Sequence, residues 1–279
     1  MKKYFFPHIL ITLLILFCVF LGVGFFYFRY PNHSQMVESL SLKKGHVMGA
    51  IVPHHAPLTG LIDETLKQVS AERNSKTIVL IGPNHADAGI GPALSRLTSW
   101  DLPTGRVDMD TEVISHLVQQ GLVAIDEKTL IPEHSMYTVL PVIQKYFPQA
   151  QVVPIILSST HDKNRSQRLG ERIGELLQNP DVLLIASIDF SHYLSSDIAP
   201  LKDSETLDLI EKRDYDLIER MPTAYFDSGP SLMTFLRAVD FNGRSHGHLI
   251  FHTNSGLFAG EPIQSSTSYM TFIFRALEY

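Results

Sequence analysis

The sequence predicts an α/β domain behind a single N-terminal membrane helix, and three observations carry that expectation. Short runs that are apolar throughout, such as TIVLIGP and DVLLIAS, alternate with longer amphipathic stretches. Strands with no polar face, separated by helices, belong to a sheet covered on both sides. An uncharged run, ILITLLILFCVFLGVGFFYF, occupies residues 9–28, and at the helical rise it spans about 30 Å, the thickness of a bilayer's hydrocarbon. The 279 residues are 44% hydrophobic, enough for one sizeable core, and no internal repeat divides them.

Taken in order, residues 1–30 read as an uncleaved anchor. The apolar run is long and ends in FFYFRYP, which lacks the small-x-small pattern of a cleavage site. Lys2 and Lys3 precede the run and only Arg29 follows it directly. The positive-inside tendency then expects a cytoplasmic N-terminus and a domain outside the cytoplasm, with Lys43 and Lys44 weakening the count. Residues 31–45 read as a polar tether and 46–279 as the α/β domain. The single cysteine, Cys18, falls within the anchor, which leaves no disulfide or thiolate ligand for the domain. VMGAIVP, TIVLIGP, VVPIIL and DVLLIAS read as strands. Residues 59–73, 110–120, 133–147 and 161–178 read as helices, with apolar positions three or four apart. Further on, 207–220 and 231–241 read as helices, and 247–254 and 267–277 as closing strands. The formal charge is −6, from 29 acidic and 23 basic residues, and no basic cluster exceeds a Lys-Lys pair. Nucleic acid is therefore not an expected partner.

The chemistry follows the strands. VMGAIVP leads into His54 and His55, TIVLIGP into Asn84 and His85, and DVLLIAS into Asp189 and His192. In open α/β sheets the carboxyl ends of the strands form the ligand crevice, so polar groups placed there can converge. Neutral imidazole ligates zinc, copper and iron, and it exchanges protons near neutral pH. Adjacent residues in an extended segment point to opposite sides, so one of His54 and His55 is expected to face the crevice. His246, His248 and His252 share parity and would share one face of an unbroken strand. Two of the three sit among Gly and Ser, which reads as surface. His116 and His161 read as ordinary helix-surface and helix-start residues, and Asp110 and Glu133 as carboxylates at helix beginnings. Neither Ser228 nor Ser255 lies in a nucleophile elbow, and LIGPNHADAGIGP lacks the GK[ST] of a phosphate loop.

IVPHHAPLTG, LIGPNH, SWDLPTGRVDMD, PEHSMYTVLPVIQKYFP with QVVPIIL, and IASIDFSHY, in that order, resemble the Memo family, also called AmmeMemoRadiSam system protein B. HLIFHTNSG and SSTSYMTFIF resemble its closing strands, so the resemblance runs from Val47 to the end. It implies a fold similar to the class III extradiol dioxygenases, a central mixed sheet flanked by helices. It also implies a metal pocket built from the histidine of P-H, the histidine of G-P-x-H and a cysteine in a C-G pair opening a late helix. Carried onto this chain, His54 and His85 are the metal ligands. His134, Asp189 and His192 surround the pocket, with His192 or His134 as acid or base and Asp189 as the orienting carboxylate. The chain departs from the family where SGPSLMTFLRA puts Ser228 in the place of the cysteine. A hydroxyl is a far weaker ligand than a thiolate. Asp227, the preceding residue, can offer a carboxylate instead, completing a set that resembles the facial arrangement of non-haem iron(II) enzymes. With the anchor expected from the apolar run, the resemblance implies a membrane-anchored, metal-dependent redox or dioxygenase-like enzyme using a divalent ion, whether iron, manganese, zinc or copper. The alternative is a non-catalytic module that captures a small molecule or peptide on a scaffold whose metal site has decayed.

Overall fold

The computed structural model describes residues 44–55 and 59–277. Along the chain the strands are β1 (Lys44–Val52), β2 (Thr77–Pro83), β3 (Ala93–Ser95), β4 (Trp100–Leu102), β5 (Gly105–Val107), β6 (Ala124–Ile125), β7 (Gln151–Leu157), β8 (Val182–Ser187), β9 (Phe190–Leu194), β10 (Ser245–Asn254) and β11 (Ser266–Leu277). The helices are α1 (Thr59–Glu72), α2 (Thr111–Gln119), α3 (Glu127–Leu130), α4 (His134–Tyr137), α5 (Leu140–Tyr146), α6 (Lys163–Leu176), α7 (Ala199–Lys212), α8 (Tyr215–Arg220), α9 (Gly229–Val239) and α10 (Ser255–Ala259).

The four apolar runs form the parallel centre of the sheet, whose order is β10-β11-β1-β8-β2-β7-β3-β6, with β9 also pairing β11. Ile51 lies opposite Ala186, and Val79 lies opposite both Leu184 and Val153. Antiparallel partners flank this centre: β11 on β1, and β3 on β7. The sheet is therefore mixed. Its central strands are buried beyond their first residues because helices cover them: α1 packs on β1 and β11 and against α5, while α9 packs on β8 and β2 and against α6. The α6–α9 approach is close. A Cβ at Gly170 would lie 2.5 Å from the Arg237 Cβ and 2.8 Å from the Thr234 carbonyl oxygen.

Several expected elements differ. The 133–147 stretch is two helices, α4 and α5, because Pro141 opens the second and has no N–H to continue the first. The 207–220 stretch divides at Arg213, whose φ of 58° ends α7, and Asp214 then caps α8 by accepting from the Leu217 N–H. On β10 the register slips between Leu249 and Phe251. An extra residue inverts the alternation of side chains beyond it, so His252 does not share a face with His246 and His248. His246 and His248 pair with each other, ring centroids 4.5 Å apart, while His252 contacts Asp203 at 2.7 Å.

At the other end, β1 opens at Lys44, so Lys44 and Gly45 belong to the sheet rather than to the 31–45 tether. The expected anchor with Cys18, and the expected tether up to residue 43, lie outside the described residues. Among the described residues, no helix is long and apolar enough to cross a membrane.

Candidate metal centre

The carboxyl ends of β1, β2 and β8 supply the site. Just past β1, the backbone N–H of His54 donates to Asp189 Oδ1 at 3.0 Å, and its Nδ1 lies 3.0 Å from Ser187 Oγ at the end of β8. These two contacts turn Nε2 inward, 3.0 Å from Asp227 Oδ2 and 3.8 Å from Asp189 Oδ2. His54 is only 2% exposed, whereas His55 points out to solvent, its ring near that of Tyr269. One histidine of the pair faces the crevice, as the alternation of an extended chain requires.

After β2, His85 is held by a single carboxylate. Its N–H donates to Glu133 Oε2 at 3.0 Å, and its Nδ1 lies 2.8 Å from Glu133 Oε1. A ring nitrogen facing a carboxylate at that distance carries the proton, which leaves Nε2 with a free lone pair. That Nε2 sits 3.8 Å from Asp227 Oδ2. Glu133 also caps α4, accepting from the Ser135 N–H. Burial alone would raise this carboxyl, but the His85 hydrogen bond and the Ser135 N–H outweigh it and hold the group down at about 2. The helix-start role of Glu133 was legible in PEHS. Its second role, toward a residue 48 positions away, was not.

His134 stacks on His85, centroids 3.9 Å apart and planes inclined by 25°, with the His54 ring at 5.1 Å. One ligand nitrogen from each of His54, His85 and His134 falls within 4.8 Å of the others, so the three could hold a metal ion. Burial, with His85 and His54 close by, lowers the His134 imidazole to about 4 and keeps it neutral. His54 goes the other way. Burial pulls it down, but the Asp189 and Asp227 carboxylates prevail and raise it to about 9.

Asp227 enters through a backbone splice. Its N–H donates to the Asp189 carbonyl at 3.1 Å, the Asp189 N–H returns to Asp227 Oδ2 at 3.2 Å, and Phe190 bridges Phe226 beside them. Asp227 Oδ1 is buried with no hydrogen-bond partner. Ser228 borders the same cavity as His85 and Asp227, but its hydroxyl is engaged locally. Its Oγ accepts from the Ser231 N–H at 3.1 Å and lies 2.7 Å from Ser231 Oγ, so it caps α9. Asp227 contacts both histidines, while the Ser228 hydroxyl is taken up by Ser231.

Two ligands set at right angles on an ion with bonds of about 2.1 Å stand about 3.0 Å apart. The separations from Asp227 Oδ2 to the two Nε2 atoms, 3.0 and 3.8 Å, need only a small closure to match. The residues present thus fit a divalent ion, and the unpartnered Oδ1 of Asp227 leaves a second oxygen for it.

His192 stands beside the cluster on β9, between Ser191 at φ 23° and Tyr193 at φ 60°. Such left-handed angles are costly for residues with side chains and mark a segment that the surrounding packing holds in place. Its Nδ1 is buried without a partner, and burial lowers its imidazole below the usual range. It borders a cavity of about 410 Å³ shared with Asn84, His85, Thr223 and Asp227. Asp189 accepts the His54 N–H at Oδ1, and burial pushes its carboxyl up.

A mixed α/β sheet gathers imidazoles and carboxylates at the ends of its parallel strands, and known proteins are similar to the chain in sequence and in fold. A family model described as Memo-like protein matches residues 26–273, and the chain belongs to the Memo family. A MEMO1 family protein of Methanopyrus kandleri is 30% identical over 239 residues, covering 81% of this chain and 83% of that protein. A MEMO1 family protein of Methanosarcina acetivorans is 30% identical over 247 residues, covering 83% of this chain and 91% of the relative. In fold, the chain is similar to the crystal structure of an uncharacterized protein from Escherichia coli K12, with a TM-score of 0.54 at 13% identity, covering 80% of this chain and 99% of that one.

Proposed function

We propose that this chain is a metal-dependent enzyme whose divalent ion is held by His54, His85 and Asp227. The observation that carries this reading is the position of Asp227 Oδ2, within 3.0 and 3.8 Å of the two inward Nε2 atoms. Two imidazoles and one carboxylate with open positions is the donor set of non-haem iron(II) enzymes, so iron or manganese is favoured over zinc or copper. When bound, such an ion supplies Lewis-acid or redox chemistry at the positions the protein leaves open. The protein's own groups then act around it. Glu133 and Ser187 orient the two histidines, and the substrate lies in the cavity bordered by His192. His192 is neutral and free to take or return a proton at Nδ1, and His134 is the second neutral base in reach.

The three-histidine group is the competing ligand set, because His134 also stands within ligand distance. Metal content and titrated affinity of two variants separate the sets. Asp227→Asn is expected to weaken iron(II) or manganese binding by at least about tenfold, and His134→Ala by less. The reverse order assigns the ion to the three histidines. Should the native protein neither contain nor take up a divalent ion, the non-catalytic binding module replaces both. Because Ser228 is occupied as a cap, Ser228→Cys is not expected to change metal preference.

Loading is coupled to a proton. Nε2 of His54 must be bare to ligate, and its carboxylate neighbours keep the imidazole protonated up to about 9. Apparent affinity is therefore expected to fall about tenfold for each pH unit below that value. Calorimetric titration in buffers of different ionisation enthalpy reads the released proton directly, and loading at pH 7 with no release would contradict this.

The same reading sets the domain outside the cytoplasm, supported by Lys2 and Lys3 before the apolar run and by a domain without cysteine. Protease added to intact cells is expected to remove the domain. Full protection, with other surface proteins cleaved, argues for the opposite orientation.

A further inference from the structure

We propose that a second pocket, separate from the metal crevice, binds a small organic anion with an apolar body, such as a medium-chain carboxylate, between the start of α6 and the turns around Ile90 and Leu122. The pocket holds about 320 Å³ and shares no lining residue with the cavity beside His192. Its walls are apolar on one side, where Ile90, Leu122 and Val123 lie. On the other side stand His161, Arg165 and Arg168, and no acidic side chain lines it.

His161 is the informative residue. It is 2% exposed, and neither ring nitrogen has a hydrogen-bond partner. A neutral imidazole always presents one donor and one acceptor, and burying both unpaired is costly, so such a residue points to a partner that the protein itself does not provide. Read from the sequence as an ordinary helix-start residue, it instead borders a cavity large enough to hold that partner.

The charge of the partner follows from the arginines. Arg165 is paired with Asp162, whereas Arg168, one turn further along α6, has no acidic partner among the described residues. The start of α6 does not itself offer the site, since the Arg165 N–H is already taken by Asp162 and the Lys163 N–H by Glu219. The anion is thus held by the Arg168 guanidinium and the His161 ring N–H, and its hydrocarbon part rests against the apolar wall. An inorganic anion would leave that wall uncovered. A neutral alcohol would leave the guanidinium unpaired.

The full chain, with its histidine rings labelled with nitrogen-15, is titrated with hexanoate, hexanol and inorganic phosphate. The ring resonances assigned to His161 by their loss in His161→Gln report binding. Hexanoate is expected to give a saturable shift, with hexanol and phosphate at least about tenfold weaker. Arg168→Gln, an exposed change that leaves the fold intact, is expected to weaken hexanoate by about tenfold. The site is overturned if hexanoate leaves the His161 resonances unmoved, or if Arg168→Gln binds hexanoate undiminished. Phosphate binding as tightly as hexanoate overturns the organic class of the ligand. Because the readout is local to His161, these outcomes do not depend on whether the crevice holds a metal.

Discussion

His85→Ala is expected to abolish stoichiometric metal binding while the domain stays folded. In the proposed ligand set His85 contributes an inward Nε2, and it is about one-third exposed, so its removal would take away a ligand without opening the core. Losing a ligand should exceed the roughly 10–100-fold loss typical of removing a group that only orients one. His54→Ala is expected to abolish binding as well, with an added cost to stability. The His54 imidazole lies between the buried Asp189 and Asp227 carboxylates, and removing it leaves two like charges facing each other without their counter-charge. Breaking a buried pair in this way costs about 3–5 kcal/mol. Metal analysis of purified protein, with circular dichroism and a thermal midpoint, measures both effects. If the two variants retain a full complement of metal, the ion is elsewhere.

Glu133→Gln should weaken metal binding by about 10–100-fold without touching a ligand. Three N–H groups, two from His85 and one from Ser135, converge on the two carboxylate oxygens. An amide keeps one acceptor and turns an NH₂ toward donors, so the His85 ring loses the partner that fixes its proton on Nδ1. The helix-cap part of the loss is smaller, on the order of 1 kcal/mol. A large change in metal affinity beside a small change in thermal midpoint therefore marks orientation of His85 as the main role, and unchanged affinity refutes it. The acid limb of stability carries the same signature. Glu133 is held near 2 against an ordinary value of 4.5. Its contribution is complete above 4.5 and is lost as pH falls toward 2. The variant should unfold with less dependence on pH across that window.

The central strands, the covering helices and the pairing of His54 with His85 were legible in the sequence for one reason. A strand buried on both faces must be apolar throughout, and the residue following it sits at the strand's carboxyl end whatever the rest of the chain does. The register of β10 was not legible in the same way. Alternation along GRSHGHLIFHT put three histidines on one face, but the slip between Leu249 and Phe251 depends on how β10 pairs with β11, which the residues of β10 alone do not encode. The break at Arg213 falls where its side chain also reaches Asp240, 27 positions on.

The sequence by itself determined the fold class, the family and the two histidines at the ends of β1 and β2, because these rest on apolar runs and on neighbours along the chain. Only the tertiary structure decided the rest of the site. Asp227 reaches the histidines because hydrogen bonds with Asp189, 38 positions away, set the backbone just before α9, while the Ser228 hydroxyl is used to cap the helix. Glu133 reaches His85 across 48 positions, and Asp189 reaches His54 across 135. Side-chain direction at such separations is fixed by packing and by the demand that every buried polar group find a partner, and neither is written in the local order of residues.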